Sequence, residues 1–280
     1  MIPATLLRLA YAARVVVSSG FDREFDIVDI KVAESVAADR IVLCESNATQ
    51  SGFPRAPRLH IVNQIHPRVE TYSDVCTNEH FGYKLGWNCE DIPRSCATQH
   101  ACDNEPDDTI VIQSDLDEIV AASVIKSLKA TELSSNVLLK LSRNMAVFVY
   151  GFFWEIPKTQ YSTTKAFTCG GYRSKKPLKV IEYPRFTGWH CSYCFPVDEY
   201  LSKMHSMLKG DGWLSLSDHY WSMEMLYSFR QNGIPLNGQT PMMPSQTKPP
   251  ASALLKAYLT QNTAMKNLPK PVHPFTFPMH

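Results

Sequence analysis

The chain has 280 residues, 44% of them hydrophobic, and its 28 basic and 27 acidic side chains leave a formal net charge of +1. That length and apolar content can bury one sizeable core, near the upper limit for a single core, so one domain with a tail is expected. The even charge balance provides no field that would recruit nucleic acid or an anionic membrane, so partners must be read from local sites.

Met1 to Ala13 holds Leu6, Leu7, Leu9 and Ala10, but Arg8 interrupts it and Arg14 follows. No apolar run reaches the ~18 residues that span a bilayer, so membrane attachment is expected only through an anchor outside this sequence. Ala13 to Val17 (ARVVV) is β-branched and predicts a buried strand that ends in a turn at Ser18-Ser19-Gly20. Phe25 to Val36 has apolar residues at helical spacing, and Arg40 to Cys44 (RIVLC) is a second strand. This alternation predicts an α/β fold with a parallel sheet.

His60 to Pro106 is polar and reads as connecting, substrate-facing structure. Four of the eight cysteines (Cys76, Cys89, Cys96, Cys102) crowd it. With the sequon Asn47-Ala48-Thr49, they point to an oxidising secretory compartment. Thr109 to Ile112 is again strand-like and runs into Ser114-Asp115-Leu116-Asp117-Glu118. Ala121 to Ala130 reads as a helix, and Val137 to Leu141 and Ala146 to Trp154 as two further strands. Asp198 can cap a helix with Leu201, Met204, His205 and Leu208 on one face. Beyond Gly238, prolines such as Pro241, Pro244, Pro249 and Pro250 predict a tail over residues 239–280, with a short helix at Ala253 to Leu259. The catalytic domain is therefore expected over residues 13–238, and there is no internal repeat.

Asp115, Asp117 and Glu118 stand at the carboxyl end of a strand, where α/β sheets place ligands. Three acidic groups within four residues repel one another unless neutralised, and a hard divalent ion with oxygen ligands suits them. Such an ion would bridge the phosphates of a nucleotide sugar and stabilise the departing diphosphate. Two other readings of the triplet stand beside this one. One is a solvated turn opening the helix at Ala121. The other is an aspartyl-phosphate hydrolase, with Asp115 as nucleophile and Asp117 as acid/base.

Tyr150-Gly151-Phe152-Phe153-Trp154-Glu155 sets aromatics beside a carboxylate, a pairing that suits sugars; Trp154 and Glu155 are its site candidates. In Gly188-Trp189-His190-Cys191-Ser192-Tyr193-Cys194-Phe195, His190 can bind metal or hydrogen-bond a phosphate. Cys191-x-x-Cys194 can be a disulfide, half a zinc site or a redox pair. No second close pair completes a zinc site, so a structural disulfide is preferred, within the pair or from it to the middle cluster.

These motifs occur in a definite order. Glu24-Phe25-Asp26 comes first, then Cys44-Glu45-Ser46-Asn47-x-Thr49 with Gly52 and Pro54, then Pro106-Asp107-Asp108 before Asp115-x-Asp117-Glu118-Ile119. The aromatic segment and the Gly-Trp-His-Cys segment follow. Together they resemble glycosyltransferase family 17 over roughly residues 13 to 238. The resemblance implies a GT-A-like nucleotide-sugar domain with a mixed, mainly parallel sheet, a UDP-N-acetylglucosamine donor and manganese or magnesium. It also implies a β-linked mannose of a glycoprotein N-glycan as acceptor in a bisecting-type transfer, inversion at the anomeric carbon, and a type II protein of the Golgi lumen.

Carried over by residue, Asp115 and Asp117 match the metal and diphosphate motif, with Glu118 beside them. Glu24 and Glu45 face the nucleotide, with Trp154, Trp189 and His190 also on the donor side. Inversion needs a base, and Glu155, Asp211, Asp218 and Glu224 are the carboxylates available. The chain departs from the family at Trp221-Ser222-Met223, where an acidic residue is expected, and across His60 to Pro106. A glycan-binding homologue without turnover is the alternative from a different class.

Overall fold

The computed structural model describes residues 12–21, 25–48, 54, 56–76, 88–149, 154–156, 163–192 and 243–244. Its first unit is β1 (Val15–Phe21), α1 (Phe25–Glu34), a single 3-10 turn (Ser35–Ala37) and β2 (Arg40–Ser46). The predicted strand, helix, strand order is therefore present. β1 continues through Ser18-Ser19-Gly20, where the sequence suggested a turn, because the strand satisfies those polar groups internally. The Ser18 and Thr98 hydroxyls lie 3.4 Å apart, and the Ser19 hydroxyl donates to the Ser114 carbonyl at 2.6 Å.

Next come α2 (Leu59–Ile65), β3 (Val69–Asp74) and α3 (Asn88–Cys102). The stretch read as mere connection is thus mostly regular. Its longest helix was hidden by low hydropathy and by Pro93 in its first half. Three disulfides pin α3: Cys89 to Cys76, Cys96 to Cys44 on β2, and Cys102 to Cys169. Cys191 is disulfide-bonded as well. The middle cysteines are all used in these three bonds, so the bond of Cys191 does not run to them.

β4 (Ile110–Ser114) leads through a tight turn to β5 (Glu118–Val120) and α4 (Ala122–Lys129). β6 (Val137–Lys140), β7 (Met145–Val149) and β8 (Trp154–Ile156) follow, and β7 and β8 form an antiparallel pair with Val149 opposite Trp154. The single strand expected from Ala146 to Trp154 is therefore two, β7 and β8. The remaining elements are β9 (Lys165–Thr168), α5 (Cys169–Ser174), β10 (Lys179–Glu182), β11 (Gly188–Ser192) and β12 (Met243–Pro244). β12, from the region read as a tail, pairs with β8.

The strands make a seven-stranded sheet in the order β10-β6-β9-β4-β1-β2-β3 and a five-stranded sheet in the order β12-β8-β7-β11-β5. In the larger sheet only β9 runs against its neighbours. It is the mixed, mainly parallel α/β sheet that the sequence predicts. Its central strands are apolar on both faces because both are covered. Val15, Val17, Ile110 and Ile112 pack with Val124, Ile125 and Leu128 of α4, whereas Val16, Val42 and Val111 pack with Ala97 and Ala101 of α3. The parallel strands β1, β2, β3 and β4 bring their carboxyl ends to one edge, and the Asp115–Glu118 turn lies there.

Candidate active site

The turn between β4 and β5 divides its three carboxylates between different tasks. Asp115 and Asp117 lie in the turn itself, whereas Glu118 opens β5. Asp115 is held by Arg94 of α3 in a bidentate pair, with the Arg94 Nη2 to Asp115 Oδ2 contact at 2.7 Å. Asp117 is mostly buried and faces the imidazole of His190, whose Nε2 lies 3.7 Å from Asp117 Oδ2. Burial opposes charging of that imidazole, but Asp117, with Glu118 and Asp115, outweighs it and raises its pKa to about 9. His190 is thus an imidazolium at neutral pH.

Glu118 has no solvent exposure. Its carboxylate accepts hydrogen bonds from the Asp115 amide at 3.1 Å, the Thr163 amide at 2.6 Å and the Thr164 hydroxyl at 2.6 Å. Those bonds fix the turn to the segment before β9, so Glu118 does not join Asp115 and Asp117 as a third open ligand. Glu45, at the end of β2, is also occupied. Its oxygens accept the Arg58 and Leu59 amides at 2.8–2.9 Å, at the start of α2. It also borders a cavity of about 440 Å³ that His60, Asn63, Gln64, Thr71 and Ser73 line.

β11 carries the Gly-Trp-His segment to the turn. It pairs antiparallel with β5, with His190 opposite Glu118, and the Cys191 amide donates to the Asp117 carbonyl at 2.8 Å. Gly188 makes this approach feasible, because a Cβ there would stand 2.0 Å from the Ile119 carbonyl oxygen. Trp189 points the other way. It packs against the apolar clusters and meets the Phe186 ring edge-on at 5.3 Å, so it is not beside His190. Trp154 and Glu155 lie on β8, with Glu155 opposite Phe148. Glu24, Asp211, Asp218 and Glu224 lie outside the described residues.

Three cations here were not singled out from the sequence. Arg94 sits in a polar helix whose existence the composition did not reveal. Lys165 of β9, whose pKa falls below its ordinary value through burial and then through the Arg94 guanidinium, is the second. A third, Lys31, lies beneath the turn. Its signal was available: Ile27, Ile30, Lys31 and Glu34 share one helical face, which places a lysine in an apolar stripe.

The carboxylates of Asp115 and Asp117 are hard oxygen donors of the kind a divalent ion takes, although an entering ion would have to displace the protein cation that each now meets. Among the described residues no three His, Cys, Asp or Glu side chains group into a complete ion site. That donor set suits an ion held by one or two carboxylates that takes its other ligands from phosphates and water.

A model of glycosyltransferase family 17 matches residues 8–222. The beta-1,4-mannosyl-glycoprotein 4-beta-N-acetylglucosaminyltransferases of Rattus norvegicus and Homo sapiens are each 27% identical over 239 residues. The Mus musculus protein of that name is 26% identical. These matches cover 71% of this chain and 43–44% of the relatives, so the chain spans less than half the length of the curated relatives it matches. Among solved structures, a mannosyltransferase from Pyrobaculum calidifontis in complex with GDP-Man and Mn2+ is 11% identical at a TM-score of 0.37, over 92% of this chain and 77% of that one. A 4-diphosphocytidyl-2C-methyl-D-erythritol synthase is 10% identical at the same TM-score, over 69% and 99%. Likenesses at this level do not bear on what this chain does.

Proposed function

This chain belongs to glycosyltransferase family 17, and on that premise we propose that it transfers N-acetylglucosamine from UDP-N-acetylglucosamine to a β-linked mannose of a glycoprotein N-glycan, with inversion. The relatives' name, beta-1,4-mannosyl-glycoprotein 4-beta-N-acetylglucosaminyltransferase, supports the sugar and the acceptor. Membership in the family sets aside the hydrolase reading of Asp115. The observation that carries the proposal is the pair Asp115 and Asp117 at the carboxyl edge of the parallel sheet, each facing a cation from another element.

In this reading Asp115 and Asp117 hold manganese or magnesium, which, when bound, neutralises the charge that builds on the departing diphosphate. Glu118 keeps the turn in register with the segment at Thr163 and Thr164. Arg94, paired with Asp115, and Lys165, which feels the charge of Asp115, would add positive charge near a diphosphate held at the turn. His190 holds Asp117 in place, Glu45 anchors the start of α2 beside the cavity at the end of β2, and Trp154 with Glu24 would complete the donor side. A carboxylate among Glu155, Asp211 and Asp218 removes the proton of the attacking mannose hydroxyl.

The disulfides around α3 support work in an oxidising compartment, and we place the protein in the Golgi lumen. No helix of the described residues is long and apolar enough to cross a membrane, so attachment would come through a segment outside them. The test is a screen of UDP- and GDP-sugars with manganese and an N-glycan that presents the core β-mannose. Release of UDP from UDP-N-acetylglucosamine alone, with one sugar added to the glycan, is expected. A folded protein that binds the glycan and cleaves no donor would replace this reading with a glycan-binding homologue.

A further inference from the structure

We propose that Lys31, buried in α1, is a positioning residue that sets the metal affinity of the Asp115–Asp117 turn. Its side chain is only 2% exposed, and its Nζ lies under the turn. It donates to the Ser114 hydroxyl at 2.8 Å and to the carbonyls of Asp115, Leu116 and Glu118 at 2.5, 3.4 and 2.9 Å. Three of those four partners are carbonyl oxygens, which only accept, so the site calls for three N–H donors and hence the ammonium form.

One ammonium thus gathers the carbonyls of Asp115, Leu116 and Glu118 from below, while the Asp117 carbonyl accepts the Cys191 amide and the Glu118 carboxylate takes the Asp115 amide. With carbonyls and an amide both tied, the backbone at Asp115 and Asp117 has little freedom. Their carboxylates are then arranged before an ion arrives. Groups behind the ligands of a metal commonly carry about ten- to a hundredfold of its affinity in this way.

The inference rests on the metal-dependent reading above, and its sign sets it apart from a simple charge effect. A cation acting only through space repels a second cation, so its removal would tighten metal binding. A positioning role predicts the reverse. The full-length chain and its Lys31→Met variant are titrated with Mn2+ in the presence of UDP. Free ion is followed by paramagnetic resonance, and fold by circular dichroism.

The expected result is native-like secondary structure with Mn2+ affinity about tenfold weaker or more. Unchanged or tighter binding by the folded variant would overturn the proposal. If Lys31→Met does not fold, Ser114→Ala decides, because it removes one of the ammonium's partners and keeps the lysine. Affinity about tenfold weaker, the low end of such effects, supports the role, and wild-type affinity overturns it. A wild-type chain that takes up no Mn2+ would overturn the metal reading itself.

Discussion

Carboxylates that look alike in a sequence separate by what reaches their oxygens. Asp115 and Asp117 meet cations that an ion or a phosphate can compete with, whereas Glu118 is consumed by backbone and hydroxyl donors in a dry setting. Glu118→Gln would place an amide N–H against one of those donors. It should lower the unfolding free energy by about 2 kcal/mol, read from urea denaturation. A variant as stable as wild type would show that the buried acceptor is not needed. The sequence located the triplet but could not divide its labour, because the division depends on a turn that reverses direction within four residues. The roles of Lys31 and Arg94 went unread for a related reason, although the apolar stripe of α1 marked Lys31 as unusual. A charge on a helix is read as solvated until the partner surface is known, and here the partners lie more than eighty and twenty residues along the chain.

Elements were legible where burial on both faces writes continuous apolar runs, as in β1, β2 and β4. They were not legible where polar composition masks packing. α3 is anchored by disulfides and by small residues such as Ala97 and Ala101, so it needs no strong apolar stripe. β5 is short and lies at the edge of its sheet, where it pairs with β11, itself held on its other side by β7. Their contact depends on Gly188. Gly188→Ala, with its Cβ driven into the Ile119 carbonyl, should separate the strands and destabilise the fold by about 3 kcal/mol or more, seen in denaturant unfolding together with a changed near-ultraviolet signal from Trp189. Wild-type stability in that variant would mean that the two strands do not approach as described.

At the scale of the whole molecule, the larger sheet supplies a rigid edge and the smaller sheet closes against it through β5 and β11. Asp115 comes from the loop after a central strand of the first sheet, and His190 from a strand of the second. The candidate site therefore forms only when both sheets are in place. This is why motifs far apart in the sequence had meaning together that none had alone. The most direct test of the account compares chelator-sensitive UDP release from UDP-N-acetylglucosamine by the wild-type chain with that by Asp115→Asn and Asp117→Asn, each shown to be folded. The account predicts manganese-dependent release in the wild type and a loss of about a hundredfold or more in each variant. Release that ignores chelator, or that survives unchanged in both variants, would contradict it.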